Sequence, residues 1–93
     1  MLSEQRKRID LIDSEILKLF CERMKTVKEV AEIKLENNMK VLQPDREEQI
    51  IKLRGEQVTL EMKEYTEELF TAIMAISRQY QSKIIKEKGG EDA

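Results

Sequence analysis

The sequence contains no histidine and no tryptophan, and its 93 residues include one cysteine, one proline and three glycines. Without histidine, a Ser-His-Asp triad and a Cys-His pair have no base, and no cluster of residues has the spacing of zinc ligands. The single cysteine, Cys21, excludes an intrachain disulfide and favours a reducing compartment. We therefore expect no metal and no cofactor. The remaining side chains can position a ligand and stabilise charge, which suits a reaction without nucleophile or proton transfer.

Other absences narrow the class of protein. The formal net charge of -2 argues against a general nucleic-acid binder, and the basic cluster Arg6-Lys7-Arg8 is too small to reverse that. We expect no signal peptide, because charged residues occur throughout the first twenty positions, and no apolar run approaches membrane-spanning length. The sequence also has no Gly-rich phosphate loop. We expect a cytoplasmic protein that binds neither nucleic acid nor membrane.

The stretch between Ser3 and Pro44 contains no proline or glycine. Apolar residues recur there at spacings of three and four, which predicts one amphipathic helix from Ser3, as N-cap, to about Asn38. The stripe consists of Ile9, Ile12, Ile16, Leu19, Val30 and Ile33. Such a helix is about 50 Å long, whereas a compact domain of this size has a radius of gyration of about 12 Å. With only 4% aromatic residues to build a core, the stripe needs a second chain.

The rest of the chain divides at Pro44 and Gly55. Pro44 suits the first turn of a short second helix that frays near Gly55, and Thr59 is a candidate cap for a third helix from about Glu61 to Lys86. The tail, about 86–93, has nothing to bury, and we expect it to be disordered. The sequence shows no repeat and no strand-like alternation, so it predicts one all-α domain over residues 1–93.

The spacing of three cations on the first helix, Arg6, Arg23 and Lys34, indicates which of them can serve one pocket. The eleven positions from Arg23 to Lys34 bring the two side chains back to within about 20° of one face, so both can point into one pocket. Arg6 lies seventeen residues, or about 25 Å of helix axis, from Arg23. If Arg6 serves a similar pocket, that pocket belongs to another subunit.

Polar residues also interrupt the apolar stripes of the other two helices. Glu47 aligns with apolar residues of the second helix, and Ser77 and Gln81 lie one turn apart on the third. Each alone also fits a structural role: an ion pair of Glu47 with Arg23 or Lys34, a bond from Ser77 to the carbonyl four residues earlier, a place for Gln81 at the exposed edge. Together, they would be costly to bury without a polar guest. The excess of cations predicts that this guest is an anion.

This ordered set resembles a known family, the all-helical AroQ-type chorismate mutases, which convert chorismate to prephenate by a Claisen rearrangement on the way to Phe and Tyr. The resemblance covers about Gln5 to Lys83. It rests on Arg6 with Ile9 and the Ile12-Asp13 pair, on Glu22-Arg23, on the segment 30–34, on Pro44-Asp45-Arg46-Glu47, and on Phe70 followed by Ser77 and Gln81. It implies an intertwined homodimer of three-helix subunits.

The resemblance also implies roles for the three arginines and for Ser77. Arg23 would bind one substrate carboxylate, and Arg6 of the partner subunit would bind the other. Ser77 would contact a carboxylate as well. Arg46 matches a family position beside the site and would play a supporting part.

The remaining roles concern the ether oxygen and the ring hydroxyl of chorismate. By the same resemblance, Lys34 and Gln81 would donate to the ether oxygen, where negative charge develops as the C–O bond breaks. Glu47 would accept from the hydroxyl. Many members have Asp where this chain has Gln43, so the contact there would come from the Gln43 backbone or be weaker.

Two alternatives remain open at this point. Relatives on the same scaffold act as isochorismate-pyruvate lyases, although Glu47 directly after Arg46 is more typical of the mutases. The other alternative is a non-catalytic helical dimerisation module whose polar residues only set register. That module predicts that a small dicarboxylate would not stabilise the protein.

Overall fold

A computed structural model of the chain describes residues 1–89, which form three α-helices and no strand. Helix α1 spans Ser3–Glu36, α2 spans Pro44–Glu56 and α3 spans Leu60–Glu87. The prediction of an all-α chain with three helices is confirmed. Helix α3 ends at Glu87, one residue beyond its predicted end and within the segment expected to be a disordered tail, and residues 88 and 89 form a turn. Residues 90–93, the last part of that expected tail, lie outside the described residues.

Both predicted ends of α1 need correction. Leu2, not Ser3, is the N-cap, and no side chain caps the helix. The reason is that the Leu2 carbonyl already accepts the N–H of Arg6 at 2.9 Å, so Ser3 is the first helical residue. At the other end, α1 stops at Glu36 because Asn38 has a left-handed backbone with φ of 53°.

The starts of α2 and α3 agree with the sequence. Pro44 occupies the first turn of α2, where its missing N–H costs nothing. Thr59 is the N-cap of α3, although its side chain makes no capping hydrogen bond. Gly55 stays inside α2 and is buried. A Cβ at this position would lie 2.8 Å from Cγ of Glu67. The missing side chain lets α2 approach α3 closely.

Helix α3 holds the subunit together. It packs against both other helices, whereas no Cα atom of α1 comes within 8 Å of one in α2. The buried core lies where the last turns of α1 and α3 meet the connection between α1 and α2. Its members are Ala31, Val41, Ile84 and Ile85, with Leu35 and Tyr80 packed against them.

The N-terminal half of α1 extends beyond this core. Every side chain from residue 1 to 19 is exposed, and the stripe residues Ile9, Ile12, Ile16 and Leu19 are 54 to 59% exposed. The radius of gyration is 16.3 Å, against about 12 Å for a compact chain of this length, and the longest dimension is 53 Å. The predicted long first helix is therefore present, and its apolar stripe is uncovered. Within residues 1–89, no helix has the length and apolar content needed to cross a membrane.

Candidate active site

A cleft of about 370 Å³ opens between α1 and α2, with α3 at its base. Seven of the eight side chains singled out in the sequence line it: Arg23, Lys34, Gln43, Arg46, Glu47, Ser77 and Gln81. The eighth, Arg6, lies exposed on the protruding half of α1. Helical spacing explains the convergence, because the α1 wall consists of residues 23, 27, 30 and 34, which share one face.

Arg23 is the first cation of the α1 wall. Its Nη1 donates a hydrogen bond to Oγ of the buried Ser77 at 2.7 Å, so the structure replaces the expected bond from Ser77 back to its own helix. Burial, and to a lesser degree the positive charge of Arg54, lower the pKa of Arg23. The guanidinium remains charged regardless, since arginine does not deprotonate in proteins. It is a fixed positive charge that Ser77 orients.

Lys34 is the second cation of the α1 wall. Its Nζ donates to the backbone carbonyl of Val41 at 2.9 Å. Burial lowers the pKa of Lys34, while the nearby Glu47 carboxylate acts in the opposite direction. The ammonium is thus held by the connection between α1 and α2 and has spare donors for a ligand.

Glu47 has a partner that the sequence interpretation did not name. Its carboxylate is paired with Arg78 of α3, not with Arg23 or Lys34, so the structural alternative named the wrong partners. The Glu47 side chain is 17% exposed. Arg78 itself lines the cleft and was missed, although its position three residues before Gln81 on one helix face was a usable signal.

Gln81 is buried, with 6% of its surface exposed, so it is not at the solvent edge of its stripe. Its side-chain oxygen Oε1 has no hydrogen-bond partner among the described residues. Leaving a buried acceptor unsatisfied costs about 1–3 kcal/mol. A ligand hydroxyl or a water that donates to Oε1 would remove this cost.

Gln43 and Arg46 are the last two predicted residues of the lining. Gln43 is half-buried, and its Nε2 donates to the carbonyl of Lys40 at 2.9 Å, so the side chain is folded onto its own connection. Arg46 is exposed. Arg46 can add positive charge to the lining without being fixed in place.

The charges of the lining decide which ligand fits. Four cations face one carboxylate, an excess of three positive charges. They are Arg23, Lys34, Arg46 and Arg78, against Glu47. Within the described part of the chain, no three acidic or cysteine side chains form a group that could hold a metal. The cleft suits a small organic anion, with aliphatic side chains between the polar ones to cover its carbon skeleton.

Comparison with known proteins agrees with this chemistry. The family model described as "Chorismate mutase type II" matches residues 5–82. The chain is 49% identical over 49 residues, 53% of its length, to the "Chorismate mutase" of Methanocaldococcus jannaschii, covering 50% of that protein. It is equally identical over 49 residues to the "Bifunctional chorismate mutase/prephenate dehydratase" of Aquifex aeolicus, covering 14% of it.

The chain spans half or less of the length of these two curated relatives. No solved structure gives a significant match. The family model, in contrast, covers most of the chain and includes every side chain that lines the cleft. The chain belongs to the chorismate mutase type II family.

Proposed function

We propose that the protein is a chorismate mutase that rearranges chorismate to prephenate in aromatic amino acid biosynthesis, in the cytoplasm. The observation that carries the proposal is the cleft of a family member in which four cations face one carboxylate. Chorismate carries two carboxylates, and a cleft of about 370 Å³ suits a molecule of its size. The rearrangement breaks one C–O bond and forms one C–C bond within a single molecule. It needs no proton, electron or water from outside, which fits a site without histidine.

The carboxylates of the substrate are bound by arginines. Arg23, oriented by Ser77, binds one of them. Arg6 of the partner subunit binds the other, since Arg6 of the same chain is about 25 Å of helix from Arg23. Arg46 adds positive charge to the lining. These contacts hold the substrate in the folded conformation in which the reacting carbon atoms approach each other.

The ether oxygen is where catalysis acts. Negative charge develops there as the C–O bond lengthens, and Lys34 and Gln81 donate to it. Both side chains are held on helices packed around the core, so little reorganisation is needed. Removing one fixed donor of this type from an enclosed site costs about 3–4 kcal/mol of transition-state stabilisation.

The ring hydroxyl is recognised by the carboxylate of Glu47, which accepts its hydrogen bond. Gln43 lies beside this position and already donates to the carbonyl of Lys40. In the proposed complex, the Gln43 backbone contributes to hydroxyl binding.

An intertwined homodimer completes the site. Two observations support it: the uncovered apolar stripe on α1, and the absence of Arg6 from the cleft of its own chain. In a symmetric dimer the same helix surface can both cover its counterpart and deliver Arg6 to the other cleft.

The test is the loss of chorismate absorbance on adding purified protein, with the product identified as prephenate. Salicylate and pyruvate from isochorismate would instead identify a lyase. A protein that shows no turnover and is not stabilised by a small dicarboxylate would be a dimerisation module. Lys34→Met should abolish most turnover. Lys28→Met, the same substitution at an exposed position of α1 that does not line the cleft, is the matched control and should leave turnover unchanged.

A further inference from the structure

We propose that Arg78 is a positioning residue, which fixes the carboxylate of Glu47 at the cleft wall and keeps it from pairing with Lys34. The inference rests on the proposed function, because it concerns the hydroxyl acceptor and the ether-oxygen donor of that site. Arg78 is neither the hydroxyl acceptor nor a donor to the ether oxygen.

The geometry pairs Arg78 with Glu47 across two helices. Arg78 follows Ser77 directly on α3, and its Nη1 donates to Oε1 of Glu47 on α2. Among the described residues this is the one hydrogen bond that the Glu47 carboxylate accepts, so Oε2 is left for a ligand hydroxyl. The ion pair thus joins two helices and divides the carboxylate into a held oxygen and a free one.

Lys34 is the competitor for Glu47. The two side chains line the same cleft and are close enough for the carboxylate to influence the ammonium. If the guanidinium of Arg78 were removed, Glu47 would be a partly buried carboxylate without its partner, and pairing with Lys34 would relieve that cost. A single substitution would then remove both the hydroxyl acceptor and a donor to the ether oxygen.

A direct contact between Arg78 and the substrate is the competing explanation. The Arg78 side chain is 35% exposed and lines the cleft, so an anion could reach it. The two explanations differ in what the charge of Glu47 does once Arg78 is gone. If Arg78 positions Glu47, the unpartnered carboxylate is harmful and removing its charge helps. If Arg78 binds the substrate, removing both side chains is worse than removing either.

The experiment is a double-substitution cycle with Arg78→Met and Glu47→Gln, read as kcat and KM for chorismate. Arg78→Met should lower kcat/KM about 10- to 100-fold, mostly through kcat, as expected when reacting groups are misplaced. Arg78→Met with Glu47→Gln should be more active than Arg78→Met alone and within about threefold of Glu47→Gln alone. Arg78→Lys should recover most of the loss, because it retains a cation. Lys83→Met, which removes an exposed cation from the same helix, is the matched control.

Three results would overturn the inference. They are an Arg78→Met enzyme within twofold of wild type, a double variant less active than both single variants, and an Arg78→Lys enzyme as impaired as Arg78→Met. Thermal melting identifies any variant that fails to fold, in which case Arg78→Gln replaces Arg78→Met in the same cycle. A wild-type protein that does not convert chorismate would refute the proposed function and this inference together. An active wild type with an unresponsive Arg78 would refute the inference alone.

Discussion

Arg6→Ala in one subunit and Arg23→Ala in the other would test whether each site is shared between two chains. In the structure, Arg23 lines the cleft and Arg6 is exposed on the same helix, about 25 Å away. Each homodimer of a single variant would lack one carboxylate-binding arginine at both sites. Both homodimers should therefore be nearly inactive.

Mixed dimers should regain activity. In a mixed dimer, the cleft of the Arg6→Ala chain keeps its own Arg23 and receives an intact Arg6 from the partner, whereas the other cleft lacks both arginines. Random reassortment makes about half of the dimers mixed, and each has one complete site of two, so activity should return to about a quarter of wild type. The two proteins would be unfolded and refolded together at equal concentration, and turnover of chorismate would be measured.

A matched control uses two side chains of one cleft. Each cleft takes both Arg23 and Lys34 from its own chain. In a mixed dimer of Arg23→Ala and Lys34→Ala chains, one cleft therefore lacks Arg23, the other lacks Lys34, and neither site is complete. Refolding that pair should recover no activity. If mixed dimers of the Arg6 and Arg23 variants are verified and remain inactive, a site containing both arginines from different chains is refuted.

Four further predictions concern the apolar stripe of α1, Gln81 and Lys34. Because the exposed stripe of α1 needs a partner, the Tm should rise with protein concentration, and sedimentation of a folded monomer at micromolar concentration would contradict the dimer. Since the Gln81 amide donates at every pH, turnover should be nearly flat from about pH 6 to 8, whereas Gln81→Glu should lose rate as pH rises; a steep wild-type titration near neutrality would implicate another group. Lys34→Ala should lower turnover far more than stability. The lowered pKa of Lys34 means that the unfolded chain binds its proton more tightly, so wild-type unfolding free energy should rise with pH between that pKa and about 10.4, and this rise should be absent when Lys34 is replaced by Met.

The long helix and most of the cleft were predictable because they depend on spacing within a helix. A stretch without proline or glycine and with an apolar stripe specifies α1, and a fixed angle per residue places Arg23 and Lys34 on one face. Likewise, Pro44 marks the start of α2, since its ring suits only the first turn.

The contacts between helices were not predictable in this way. The pairing of Glu47 with Arg78 depends on how α2 crosses α3, which is set partly by the close approach of Gly55 to Glu67. The bond from Lys34 to the carbonyl of Val41 has no side-chain signature, because any residue presents a carbonyl. Local patterns therefore identified the lining of the cleft but not the bonds that fix it.

Val41 anchors the connection between α1 and α2 in two ways. The Val41 side chain is buried in the core, and its carbonyl accepts from Lys34. Asn37, Met39 and Lys40, just before it, are exposed. Tolerance to insertion should therefore change sharply within these few residues. Added residues between Asn37 and Lys40 lengthen an exposed bend. A residue added directly after Val41 shifts the start of α2 and, with it, the α2 wall of the cleft.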